Sequence, residues 1–396
     1  MAITREQSHD PDGRPRARGL GVPLQGMPGR WNSITDVPGV QVGYKTLTSG
    51  QGPLTVGVGP VRTGVTVILP RGREGVGIPC AAGWYSLNGN GEATGTTWID
   101  ESGTVSTPVS LTNTHSVGKV HDGIVAWMVR NHPRLANQWL LPVVAETWDG
   151  YLNDINGRHV EDRHVWEALE GATHGPMANG SVGGGTGMNC YSFKGGTGTS
   201  SRLVRYGSTE YTVGVLVQAN FGERSELRVA GLPVGELLGQ DNPMRDEPWF
   251  ERDVHAAGMQ GAGSVIVVVV TDAPLIPGQC KALARRVPLG LARTGTTGSH
   301  FSGDIFLAMS TANAGALSSE FPLTEASDQD YEQLTFVPWG RIDPFFQAVV
   351  ESVEEAVLNA LIVNQDMIGR DGHRTPALPV ERLLEHLARH RTLGGV

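Results

Sequence analysis

Apolar and polar positions alternate along this chain in two distinct periods. Val65-Thr66-Val67-Ile68-Leu69, closed by Pro70-Arg71-Gly72, reads as a strand. Residues 106–112, the run 141–145 and the stretch 211–220 carry the same short-period signal. Residues 264–270 form a β-branched run too apolar to be exposed on either face, so a strand buried on both sides is expected there. Residues 304–310 give a further strand. Helical spacing marks 121–131, with Ile124, Val125, Trp127 and Met128 on its stripe, and also 161–171 and 279–286. A long helix is expected from Asp343, read as N-cap, with Pro344 in the first position, and a last one over 380–391. The first 25 residues read as a loose arm, and 26–396 as one unit of layered α/β packing with sheet on sheet and helices outside.

Composition narrows the class. Gly (54) and Pro (24) are abundant among 396 residues without a Gly-X-Y period, which predicts many turns and close backbone approaches rather than collagen. The net charge of −9 argues against a nucleic-acid partner or an anionic membrane. The longest apolar run is six residues, and residues 1–18 carry no apolar stretch, so neither a membrane span nor a secretory signal is expected. Cys80, Cys190 and Cys280 lie far apart, without CxxC spacing, and a cytoplasmic protein is the expectation.

Several polar segments abut these strands. Gly261-Ala262-Gly263-Ser264 runs straight into the buried run. Ser264 there is either a turn residue or a nucleophile released by self-cleavage after Gly263. In the second case its freed α-amine, with a pKa near ~7.7–8.0, can serve as its own base. Ser302 and Asp304 alternate at another strand start and can face one side, as a loop cap or as a carboxylate steering a proton. Asn220 ends a strand before Gly222, as an Asx turn or an oxyanion donor. Glu146 and Trp148 follow a β run, as a solvated turn or as a carboxylate beside a pocket wall. Asn88-Gly89-Asn90-Gly91-Glu92 reads as a tight loop after Trp84-Tyr85, open to a role in gating or in the pocket wall. The glycines of 180–187 fit neither phosphate-binding pattern, the histidines show no metal spacing, and G-x-S-x-G is absent.

These segments in this order resemble the aminopeptidase family of the L-aminopeptidase/D-amidase/D-esterase enzymes and the β-peptidyl aminopeptidases. The resemblance runs from Asn32-Ser33-Ile34-Thr35-Asp36-Val37-Pro38-Gly39-Val40 through Leu111-Thr112-Asn113-Thr114-His115-Ser116-Val117-Gly118 to Ser302-Gly303-Asp304-Ile305-Phe306-Leu307-Ala308. Val270-Thr271-Asp272-Ala273-Pro274-Leu275 and Gly290-Leu291-Ala292-Arg293-Thr294-Gly295 are its most specific pieces. It implies a four-layer αββα sandwich like the N-terminal nucleophile hydrolases, with its own connectivity. It implies self-cleavage into 1–263 and 264–396, no metal or cofactor, and homotetramers of the cleaved pair. The implied substrates are small peptides, amides or esters with a free amino end.

By position the resemblance makes Ser264 the nucleophile and Ser302 a second serine touching it. Asp304 would orient the Ser264 amine, Asn220 would serve the oxyanion, and Glu146 would grip the substrate ammonium beside Trp148. Acetyl transfer, as in the fold-related ornithine acetyltransferases, is the rival activity, although those use Thr where this chain has Ser264. A non-enzymatic small-molecule-binding module is the rival from another class.

Overall fold

A computed structural model describes residues 3–247, 249, 252, 263–322 and 324–393. The first half supplies β1 (Gln41–Ser49), β2 (Val61–Leu69), β3 (Cys80–Ser86), the short β4 (Thr104–Val105), β5 (Val109–Asn113) and β6 (Val143–Thr147). A two-residue hairpin, β7 (Asn189–Cys190) and β8 (Phe193–Lys194), leads into the long β9 (Gly196–Tyr206) and β10 (Thr209–Asn220). β11 (Gly263–Thr271) and β12 (Ser302–Ser310) follow. One sheet has the order β1-β2-β5-β6 and the other β4-β3-β12-β11-β10-β9. β11 lies inside the second sheet, antiparallel to β10 and parallel to β12.

Side-chain alternation on β11 shows why the run had to be apolar throughout. Ile266, Val268 and Val270 join Ile305 and Leu307 of β12 and Val109, Leu111, Val143 and Ala145 of the first sheet in a core between the sheets. Val265, Val267 and Val269 face the other way. They pack toward helices α1 (Pro277–Ala284), α2 (Val287–Arg293) and α3 (Asp343–Ile362) through Leu283, Leu291 and Val353. The outer face of the first sheet is covered by the helices Val117–Asn131 and Asp162–Glu170, through Ile124, Trp127, Val165 and Leu169. The result is the four-layer αββα sandwich expected from the resemblance.

Two sequence expectations shift. Asp343 is the first helical residue rather than the cap, because Ile342 occupies the cap position and Pro344 the second turn-opening site. Residues 4–24 are packed rather than loose. Arg16 is 1% exposed and donates to the carbonyls of Glu6, Gln7, Trp31 and Asn32. Arg18 pairs with Glu355 of α3 at 2.9 Å, and Ala17 and Val22 belong to the sheet–helix core. An arginine-rich segment looks solvated in one dimension, and only the partner carboxylate in α3 reveals otherwise.

The strand β9 escaped the sequence reading because GTGTSSRLVRY lacks apolar alternation. Its small polar residues are buried and bonded: Thr199 Oγ1 donates to Val215 O at 2.7 Å, and Ser200 Oγ to Ser352 O at 2.6 Å. A Cβ on Gly198 would stand 1.9 Å from Ala356 O, so glycine is what lets α3 lie this close to the sheet.

Candidate active site

The ends of β10, β11 and β12 converge. Asn220 stands opposite Ser264 in the β10–β11 ladder, and Ser264 is level with Gly303 in β11–β12. Ser264 is 4% exposed, and its Oγ accepts the Gly303 N–H at 3.2 Å. It shares the face of Ile266, so its hydroxyl points into the space between the sheets. Gly263 already pairs within the strand, opposite Ser302, whereas Gly261 and Ala262 lie outside the described residues.

Asn220 is held at both ends. Its Oδ1 accepts the Asn189 N–H at 2.8 Å, and its Nδ2 donates to Trp148 O at 2.9 Å. An amide nitrogen carries two hydrogens, and the bond to Trp148 uses one of them. Trp148 thus contributes its carbonyl to the site, while its half-exposed ring stacks near Trp249 with centroids 6.4 Å apart.

Ser302 and Asp304 do share a side, as their alternation predicted. The Ser302 hydroxyl donates to Asp304 Oδ1 at 2.5 Å. That face belongs with Phe306, opposite to the face of Ser264. The hydrogen bond to Ser264 Oγ comes from the Gly303 amide, while the Ser302 hydroxyl, level with Gly263 in the ladder, is engaged by Asp304. Asn88 grips the carboxylate residue from the other side, with Nδ2 donating to Asp304 Oδ2 at 2.9 Å and Oδ1 accepting the Asp304 N–H at 2.6 Å. Burial raises the Asp304 pKa, against the opposing pull of the Ser302 and Asn88 hydrogen bonds.

Glu146 is 2% exposed. Its Oε1 accepts the Glu92 N–H at 3.0 Å, and its Oε2 accepts the Thr114 hydroxyl. Burial raises its pKa, and these two donors work against the rise. The turn 87–92 spans from this carboxylate to β12: Leu87 N–H donates to Asp304 O, Asn90 N–H to Ser302 O, and Gly91 lies against Gly303. From the sequence Asn88 and Gly91 had only a place in a gating or pocket-wall loop, and Thr114 had no role. The alternating Asn-Gly loop was visible there, but nothing local said which strand it would cross.

Behind Trp148 and Asn189 lie two buried ionisable groups. Burial pushes the Asp149 carboxyl up to about 7, although the Thr63 hydroxyl and Asn153 amide counter it. Burial also pushes the Lys194 ammonium down to about 7, with its Nζ donating to Met188 O at 2.7 Å and Gly195 O at 2.8 Å.

A buried hydroxyl at a strand start, an amide aimed beside it and a sequestered carboxylate nearby make up an acyl-transfer arrangement on an αββα frame. The chain matches the family model described as Peptidase family S58 over residues 32–375. It belongs to that family and is a peptide hydrolase. It is 47% identical over 380 residues to a β-peptidyl aminopeptidase, BapA, of Sphingosinicella microcystinivorans, covering 96% of this chain and 93% of that one. Among solved structures it resembles the L-aminopeptidase D-Ala-esterase/amidase of Ochrobactrum anthropi. The TM-score is 0.84 and the identity 42%, covering 96% of this chain and 99% of the other, and that structure is described as a variant of the Ntn-hydrolase fold. It also resembles a Burkholderia sp. β-aminopeptidase, with a TM-score of 0.82 and 45% identity, covering 94% of this chain and 98% of the other. Membership of a peptidase family sets aside the acetyltransferase and binding-module alternatives.

Proposed function

We propose that this chain is a self-processing serine aminopeptidase that releases N-terminal β-, D- or L-aminoacyl groups from small peptides, amides or esters. The observation that carries the reading is the position of Ser264. It opens a buried central strand after a glycine, with its Oγ fixed by the Gly303 N–H and with Asn220 opposite.

In maturation, Ser264 Oγ attacks the Gly263 carbonyl, the acyl group moves from nitrogen to oxygen, and water hydrolyses the ester. The products are a Gly263 carboxylate and a free Ser264 amine, giving chains 1–263 and 264–396. In turnover that amine takes the proton from its own Oγ as the oxygen attacks the substrate carbonyl. Asn220 donates its spare hydrogen to the oxyanion. The proton passes to the leaving amine, and water then releases the acyl group. Glu146 holds the substrate ammonium, with Trp148 as a wall. Asp304, tied to Ser302 and Asn88, faces the start of β11 from the opposite side and stabilises the positive charge on the Ser264 amine.

The cleaved pairs assemble as homotetramers. This is supported by large exposed apolar side chains on the segment after β12, among them Phe321, Tyr331, Phe336 and Trp339. The cell compartment is the cytoplasm, in keeping with three buried, unbridged cysteines. Among the described residues no helix is long and apolar enough to cross a membrane.

The test is intact mass of purified protein and of Ser264→Ala. The parent should give two chains summing to the precursor plus one water, and hydrolyse an aminoacyl p-nitroanilide. The variant should remain one chain and be inactive. A Ser264→Ala protein with parental hydrolysis would overturn the assignment.

A further inference from the structure

The turn that follows β3, residues 87–94, touches both halves of the site and bridges the two sheets. At one end it is anchored on β12 by the backbone bonds from Leu87 to Asp304 and from Asn90 to Ser302. The Asn90 side chain adds a bond to Phe301 O at 2.9 Å. At the other end it joins β6. Ala93 bridges Ala145, Thr94 N–H donates to Val144 O, and Thr94 Oγ1 accepts the Val144 N–H at 2.9 Å while donating to Pro142 O at 2.7 Å.

Between these anchors sits Gly91. A Cβ on it would lie 2.9 Å from Gly303 Cα and 3.4 Å from Glu146 Oε1. A Cβ on Gly303 would in turn meet Asn90 O at 2.5 Å and Gly91 Cα at 2.6 Å. Gly91 does not take a positive φ, so its bareness answers to this close approach rather than to a left-handed backbone. Gly303 carries the amide on Ser264 Oγ, and the residue after Gly91 carries the amide on Glu146. The gap between nucleophile and buried carboxylate is therefore spanned by two hydrogen bonds and one glycine–glycine contact.

We propose that Gly91, bearing on Gly303, is a specificity-determining residue. It fixes the distance between Glu146 and Ser264 Oγ, and with it the number of carbons allowed between a substrate's ammonium and its scissile carbonyl. This rests on the roles given to Ser264 and Glu146 under the proposed function. An α-aminoacyl group places one carbon there and a β-aminoacyl group two, a difference of about 1.5 Å of chain. A methyl group at position 91 must retreat from 2.9 Å toward the roughly 3.5–4.0 Å of ordinary carbon contact. That widens the gap by a fraction of one bond and favours the longer acyl group.

The experiment measures kcat/KM for β-alanyl and L-alanyl p-nitroanilides with the parent, Gly91→Ala and Thr94→Val, each checked for self-cleavage by intact mass. Gly91→Ala should raise the β-to-α ratio about tenfold, since sub-ångström to 1 Å misplacements cost up to ~10²-fold. Thr94→Val removes the two hydroxyl bonds of the β6 anchor, leaving its backbone bonds and adding no bulk near the substrate, and should bring the ratio closer to one. Cleaved variants with the parental ratio, or a Gly91→Ala ratio moved toward α, would overturn the proposal while leaving the nucleophile assignment standing. If Gly91→Ala does not fold, an unchanged ratio in Thr94→Val overturns it alone. A parent that hydrolyses neither compound overturns the underlying reading and this one with it.

Discussion

Asn220 is the direct cross-strand partner of Ser264, and the two side chains emerge on the same face of the sheet at the last pair of the β10–β11 ladder. Neighbouring antiparallel strands place paired side chains within about 5.5 Å. The amide donor and the hydroxyl thus owe their proximity to backbone register rather than to loop geometry.

That register makes Asn220→Ala informative. Loss of a single preorganised oxyanion donor costs about 10²–10³ in kcat. KM for an aminoacyl p-nitroanilide should change by only a few-fold, because the ground-state carbonyl demands little of the amide. Steady-state kinetics check this, with a melting curve to show that the bonds to Asn189 and Trp148 were not also holding the fold. Unchanged kcat would remove the oxyanion role.

Glu146 must be ionised to hold an ammonium, and burial lifts its pKa above the ordinary 4.5. The acid limb of kcat/KM should therefore lie above that value. Thr114 donates to the ionised form and lowers the pKa, so Thr114→Val should push the limb to still higher pH. Glu146→Gln should raise KM at least about tenfold, the order expected for losing a charged partner. A Thr114→Val limb at parental pH would separate Glu146 from substrate binding.

Asp149 and Lys194 give a stability prediction. The folded Asp149 holds its proton up to about 7, against 3.8 ordinarily, so its contribution is full below about pH 4 and is lost as pH rises to 7. Lys194, lowered from 10.5 to about 7, gives up its proton first in the folded state, so stability recovers as pH climbs above 7. Melting temperatures of Asp149→Asn should fall less than those of the parent between about pH 5 and pH 7. Parallel pH curves for the two proteins would contradict the burial argument.

Arg18→Ala tests the packed N-terminal segment. It removes one partner from Glu355, which is fully buried beside Arg202 at 2.8 Å. Breaking a buried ion pair costs about 3–5 kcal/mol, and Arg202 and Asn32 remain to soften the loss. Urea denaturation should show destabilisation on the order of 3 kcal/mol, whereas a free arm would show none.

The chain by itself determined much of this protein. β-Branched runs such as 264–270 read as buried strands, so the layered α/β class and half of the labelled strands, β2, β5, β6 and β10 to β12, were legible. The Gly263-Ser264 step at a strand start, the Ser302–Asp304 alternation and the strand-ending Asn220 were legible as candidates for the same reason, because each is a local pattern. Tertiary structure decided which groups meet. The Gly303 amide rather than Ser302 reaches Ser264, since alternation puts neighbouring side chains on opposite faces and leaves the amide in the sheet plane. Asn88 and Thr114 gained their places only through the pairing of β3 with β12 and of β5 with β6, and Gly91 only when the two sheets stacked, because their partners lie at least 32 residues away in sequence. The burial that lifts Glu146, Asp149 and Asp304 is likewise a property of the assembled layers and of no single segment.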